Sequence, residues 1–166
     1  MPALPDFIER NLSVTTNPIS RDAILGSWRL VRTFETIDGA DNGKVPLGEG
    51  AYGILHYLPD DRVSVLIAYP GRKPHTGGRY DSSAEEFAQS AKSFTAYSGR
   101  YTIGTDQIVH HLDICLYEND NHTDYVRDAI VDGDRLVLKI PPVSTDKGEL
   151  QWCLEWERMT SGQRLP

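Results

Sequence analysis

Between residues 95 and 158 the sequence falls into short runs of alternating apolar and polar residues separated by tight-turn signals, and this spacing constrains the fold more than any other feature. Successive strand residues point to opposite faces, so a turn of known length decides which residues share a face. Strands are predicted at about 95–103, 106–117, 122–131, 134–141 and 149–158, with turns at "GTDQ", "ENDN", "DG" and "PPVSTDKG". Upstream, a strand is predicted from Trp28 to Glu35, and "AYGILHYL" and "RVSVLIAYP" form a hairpin around "PDD". "SSAEEFAQSAKSF" predicts a helix: Ser82 and Glu85 stand at capping-box spacing, and Phe87, Ala91 and Phe94 recur at helical intervals. Ser20 caps a single turn that Gly26 ends, and "LPDFIERNL" is amphipathic enough for a short N-terminal helix. Eight strands with one helix inserted between strands 3 and 4 define an all-β chain. An eight-stranded antiparallel up-and-down barrel is the expected form, with a two-sheet sandwich as the alternative.

Three turns assign the faces. A two-residue turn at Asp132 and Gly133 sets Ala129 opposite Leu136, Arg127 opposite Leu138 and Tyr125 opposite Ile140. A four-residue "ENDN" turn sets Ile114 opposite Tyr125, Leu112 opposite Arg127 and His110 opposite Ala129. A turn at Thr105 and Asp106 sets Tyr101 opposite His110, Gly99 opposite Leu112 and Tyr97 opposite Ile114. All three agree in phase. They put Tyr97, Tyr101, His110, Leu112, Ile114, Tyr125, Arg127 and Leu138 inside, and alternation on the last strand adds Trp152 and Trp156. The adjacent His111 then falls outside, opposite Asp128. For the 51–69 hairpin both faces are mixed, and either His56 or Tyr57 can point inward.

Composition limits the function. The 166 residues suit one domain, expected as an N-terminal extension (1–19), a barrel domain (20–160) and a short tail (161–166). A net charge of −7 with no basic cluster argues against nucleic acid as a partner. No apolar run approaches a membrane span and no signal-peptide pattern opens the chain. Cys115 and Cys153 are too few for a disulfide framework, so a cytoplasmic setting is expected and both are read as small hydrophobes. The five histidines are scattered, which makes a metal site unfavourable. The oligomeric state is open, and a homodimer is compatible with the sequence.

Several ordered motifs carry a resemblance. "LGSWRLV" resembles the G-x-W signature that opens lipocalin and fatty-acid-binding barrels, and Arg158 in "LEWER" stands where such barrels place an arginine across that tryptophan. Together with "PLGEGAYGILHYLPDDRVSV", "EEFAQSAKSF", "IVHHLDICLY" and "YVRDAIVDGDRLVLKIPP", these resemble the lipocalin-like domain family of small bacterial and fungal proteins over about residues 24–159. The resemblance implies a lipocalin-like barrel with a ligand-sized lumen. Its fungal members are associated with secondary metabolism, and some such barrels catalyse isomerisation or cyclisation.

On the inner face Tyr97, Leu112, Tyr125, Leu138, Trp152 and Trp156 offer flat apolar walls with polar tips, suited to a small hydrophobic ligand; the alternative is a filled core. His110, Tyr101 and Arg127 form a candidate catalytic group. The histidine would act as acid or base, the tyrosine as proton donor, and the arginine would stabilise an enolate. The expected function is binding of a polyketide- or terpenoid-like carbonyl metabolite with cofactor-free isomerisation, dehydration or cyclisation. The alternative is a carrier that binds without reaction.

Overall fold

The computed structural model describes residues 18–166, so the amphipathic "LPDFIERNL" stretch lies outside the described residues. A single turn, α1 (Arg21–Ile24), is capped by the Ser20 side chain, which accepts from the Ala23 amide at 3.2 Å. Ten strands follow: β1 (Gly26–Ile37), β2 (Ala40–Asp41), β3 (Tyr52–Tyr57), β4 (Arg62–Ala68), β5 (Phe94–Ile103), β6 (Gln107–Cys115), β7 (Asp124–Asp132), β8 (Arg135–Lys139), β9 (Val143–Thr145) and β10 (Gly148–Arg158). The order β1-β3-β4-β5-β6-β7-β8-β10 is antiparallel throughout, and β10 pairs back onto β1 from Arg158 opposite Trp28 to Leu150 opposite Ile37. Eight strands therefore close a barrel, which excludes the sandwich. The two further strands, β2 and β9, are short additions to β1 and β10 at one end.

Helix α2 (Ala84–Lys92) sits between the third and fourth barrel strands as expected, but its capping box is Ser83 with Glu86 rather than Ser82 with Glu85. Ser82 is already used by the preceding turn, where its hydroxyl contacts the Gly78 carbonyl and His75 Nδ1. Amides of Thr76 and Ser83 donate to Glu86 and hold its carboxyl down at about 2.

At the other end of the barrel Trp28 is fully buried and donates from Nε1 to the Ile24 carbonyl at 2.8 Å. The Arg158 guanidinium lies 4.1 Å over its ring and donates to the carbonyls of Leu25 (2.5 Å) and Ala23 (2.8 Å). One cation thus ties α1 to β10 and seals this end. Arg158→Met keeps the stem but leaves those carbonyls without their donor, with an expected cost of about 2 kcal/mol. Urea unfolding checks it, and an unchanged midpoint would remove the arginine from the closure.

Register agrees in phase with the turn predictions and differs in detail. The turn after β7 is Gly133–Asp134, so Ala129 pairs with Leu138 rather than Leu136. The β6–β7 connection folds through a 3₁₀ turn (Glu118–Asp120) and is longer than four residues, so His110 pairs with Tyr125 and Ile108 with Arg127. Both shifts are even, which preserves the faces. His111 is outside, as expected, but pairs with Asp124 rather than Asp128. Ile114 is a true reversal. Between β5 and β6 the expected pairs hold down to Gly99 opposite Leu112; β6 then bulges at Asp113, leaving Ser98 opposite Ile114 and Tyr97 opposite Cys115. Ile114 is turned out to 65% exposure and Cys115 is turned toward the inside.

The ambiguous hairpin resolves with Leu55, Tyr57, Val63, Val65 and Ile67 inside, while His56 lies outside against the Ser27 hydroxyl at 2.9 Å. Trp28, Leu55, Tyr57, Ile108, Leu136 and Trp156 pack the closed half. On the outer face Phe34, Val137 and Cys153 form a small second cluster, and burial raises the Cys153 thiol to about 11, in keeping with a packing role.

Candidate binding site in the barrel lumen

The half of the barrel away from Trp28 contains a cavity of about 510 Å³. Its wall is largely apolar: Val65 and Ile67 from β4, Leu138 from β8, and Trp152, Leu154 and Trp156 from β10, with Leu47 and Pro46 from the β2–β3 loop. Tyr69, Thr95, Tyr97, Tyr125 and Arg127 add the polar groups. Five of the six residues expected to touch a ligand therefore line the cavity. Leu112 does not. Tyr97 and Tyr125 stand on the strands flanking β6, and their rings meet edge-to-face at 5.4 Å, covering that strand.

The same cover separates His110 from the lumen. His110 is fully buried, with Nδ1 2.9 Å from the Tyr97 hydroxyl and Nε2 2.7 Å from that of Tyr57. Burial, with the Arg127 charge nearby, lowers its pKa to about 3, so the ring is neutral at physiological pH. Burial in turn raises Tyr97 to about 12, partly offset by Arg127, and raises Tyr57 well above its usual range. The three side chains form a neutral hydrogen-bonded chain. Tyr97 is its lumen end.

Tyr101 does not join that chain. It pairs with His110 along the backbone, but its hydroxyl donates to the Leu58 carbonyl at 3.1 Å and its ring packs edge-on against Tyr57. A tyrosine side chain is long enough to carry its hydroxyl toward the closed end, past the histidine beside it. The expected His110–Tyr101–Arg127 group is therefore divided: Arg127 lines the cavity, His110 lies one side chain behind it, and Tyr101 belongs to the core.

Arg127 donates from Nη1 to the Val126 carbonyl at 2.7 Å, and its guanidinium lies 4.7 Å from the Tyr125 ring centre. No ion pair to it forms among the described residues. Tyr125 donates to Asp120 at 2.5 Å; burial and that carboxylate raise its pKa. Trp156 Nε1 is buried and has no acceptor among the described residues, an unmet donor that costs about 1–3 kcal/mol. At the mouth Trp152 is 41% exposed and donates to Glu35 Oε2 at 2.9 Å. Glu35 is held below its usual carboxylate range by Asn42, with Trp152 and Lys44 adding to it. Asp124 is the one carboxylate among the lining residues, and its side chain is turned to His111 on the outer face at 2.7 Å.

Sequence reasoning does not reach Tyr57, Tyr69, Thr95, Thr33 or Glu35. The alternation Val63, Val65, Ile67 is a signal that orients the 51–69 hairpin and with it Tyr57. For Thr33 and Glu35 there is no such signal, because β1 slips its register between Leu30 and Arg32. Among the described residues no group of three His, Cys, Asp or Glu is placed to hold a metal ion, and no helix is long and apolar enough to cross a membrane.

A closed eight-stranded barrel, sealed at one end by a tryptophan–arginine pair and hollow at the other, defines a small-ligand-binding barrel of the lipocalin type. A family model described as a lipocalin-like domain matches residues 25–159, and the chain belongs to that family. Among curated proteins the chain is similar to a 4'-hydroxy-3'-methoxypropiophenone carrier protein of Aspergillus oryzae, 27% identical over 107 residues. That match covers 58% of this chain and 96% of the relative.

Proposed function

We propose that this protein binds a small, flat, hydrophobic metabolite bearing a carbonyl or phenolic oxygen, polyketide- or terpenoid-like in character, and carries it unchanged. The observation that supports this most is the polarity of the lumen wall. Arg127 and the Tyr97 hydroxyl are groups able to donate to an oxygen, set among apolar and aromatic side chains, and among the described residues of the lining the one carboxylate, Asp124, is turned to the outer face. Such a wall recognises oxygen, while the imidazole that could act as a base lies behind Tyr97 rather than at the wall. The likeness to a protein named as a carrier of an aryl ketone points the same way.

Tryptophan fluorescence reads the binding, since Trp152 and Trp156 both line the cavity. Titration with 4'-hydroxypropiophenone is expected to quench it, and Arg127→Leu is expected to weaken binding about 10- to 100-fold, the range of one charge-assisted hydrogen bond. Equal affinity in the two proteins would remove Arg127 from the site.

The Tyr97–His110–Tyr57 chain supports a second reading, cofactor-free isomerisation, dehydration or cyclisation through an enolate, because it could pass a proton to or from a lumen oxygen. Enolate formation exchanges the hydrogens next to the ketone with solvent. NMR of the bound ketone in D2O separates the readings: no acceleration of exchange over buffer supports the carrier, and acceleration abolished by His110→Leu supports the enzyme.

A further inference from the structure

Beside the lumen lies a second cavity of about 300 Å³, lined by the end of α2 (Ala91, Lys92), the start of β5, and Cys115, Leu116 and Tyr117 beyond the bulge in β6. It shares Thr95, Tyr97 and Tyr125 with the lumen. The division between the two spaces is therefore made of side chains, above all the edge-to-face pair Tyr97–Tyr125, and not of a strand.

The space has a local cause. Had β6 kept its register, Tyr97 would pair with Ile114, and an isoleucine would project inward here; the bulge sends Ile114 outward and offers Cys115 in its place. A smaller side chain on the inner face, with Ala91 of α2 also in the lining, leaves a gap here. Phe94, Leu116 and the faces of Tyr97, Tyr117 and Tyr125 make it predominantly apolar. Burial, with Asp120 nearby, raises the Cys115 pKa and keeps that side chain a neutral thiol, so the charged residues of the lining are Lys92 and Asp120.

We propose that this side cavity is a subsite for an alkyl or acyl chain borne by the lumen ligand, so that the protein selects ligands with a flat oxygenated head and a flexible apolar tail. The proposal rests on the lumen-binding reading above and deepens it. The head occupies the lumen beside Arg127, and the tail passes between Tyr97 and Tyr125, whose T-shaped contact opens by rotation of either ring. The volume suits a chain of several carbons. Because the wall is apolar, affinity rises with the number of methylenes buried, and it stops rising once the cavity is full.

The test uses the full chain and a series of 4'-hydroxyphenyl alkyl ketones extended from propiophenone one methylene at a time. In the wild type, affinity is expected to rise about fourfold per methylene over the first several additions. Cys115→Phe fills the side cavity; it is expected to leave the affinity for the shortest ketone within about twofold and to abolish the rise. Cys115→Ala keeps the cavity open and is expected to retain the rise, which distinguishes filling from loss of the thiol. Binding of the shortest ketone by Cys115→Phe shows that the variant is folded with an intact lumen. Should that variant not fold, Cys115→Leu and Cys115→Met fill the same space with less bulk. A wild-type affinity that is flat with chain length, or a rise that survives filling, overturns the subsite. Failure of every ketone to bind the wild type would instead overturn the lumen reading.

Discussion

Gly99→Ala is expected to destabilise the protein by roughly 3 kcal/mol or more and to weaken ligand binding in whatever fraction still folds. Gly99 has ordinary strand dihedrals, so the reason is close approach. A β-carbon at this position would overlap the His111 carbonyl oxygen outright and press on the Asp113 amide at 2.9 Å, both of them backbone atoms of the neighbouring strand that cannot rotate away. This is also where β6 bulges, and the bulge is what places Tyr97 opposite Cys115 and turns Ile114 out of the barrel. Relief of the clash must separate β5 from β6 beside the Tyr97–His110 contact, so stability and the site are damaged together. Gly133→Ala is the control: its φ of 57° disfavours alanine, but nothing lies within 4 Å of the new atom, and about 1 kcal/mol is expected. Urea unfolding of the pair decides it. Equal, small losses would mean that the two strands approach less closely at Gly99 than the backbone positions require.

Acidification is expected to destabilise the protein through His110 before the carboxylates contribute, by up to about 3 kcal/mol between pH 6.5 and 4.5. The unfolded chain takes up this proton near pH 6.5, whereas the folded chain resists until about pH 3 because the ring is buried. Tyr57 and Tyr97, both raised in pKa by burial, pack against it as neutral groups, and Arg127 and His111 are the nearby groups that oppose its charging. Above pH 6.5 neither state binds the proton and the full stability is present. As the pH falls, the unfolded state binds more protons than the folded one, and stability is lost at a limiting rate of about 1.4 kcal/mol per pH unit. Glu35 and Glu86, whose pKa values are lowered, act in the same direction only below their unfolded value of 4.5. The window from 4.5 to 6.5 therefore reports mainly on the histidine. His110→Asn has no titration there and is expected to be less stable at pH 7 but to lose little more on going to pH 5. Parallel pH dependences for the wild type and His110→Asn would show that the ring is not held neutral.

Much of the barrel is legible in the residues because alternation and turns are local. Inner and outer faces of β5 to β8 follow from three turns even though two of the registers are shifted by two and four residues, since an even shift leaves every side chain on its own face. Trp28 and Arg158 also announce their partnership, one at each end of the barrel sequence. His110 and His111 divide between core and surface as alternation requires. The failures share a cause. Ile114 and the Glu35 side of β1 lie beyond bulges, where one extra residue reverses the phase, and nothing in the letters near Asp113 or Val31 marks the place. Tyr101 was assignable to a face but not to a partner, because the direction in which a long side chain leans along a strand depends on what fills the space ahead of it.

By itself, then, the sequence determined the class of fold, the closed end, and which side chains could meet inside, since each of these depends on neighbours along the chain or across a turn. Tertiary structure alone decided which of those side chains reach the lumen. His110 is enclosed between Tyr57 and Tyr97, Leu112 is covered by the Tyr97–Tyr125 contact, and Arg127 is left at the cavity wall, because three-dimensional packing sets how far each ring extends over its neighbours. The same packing leaves the gap beside Cys115, the feature that turns a general small-molecule barrel into one with a preference of its own.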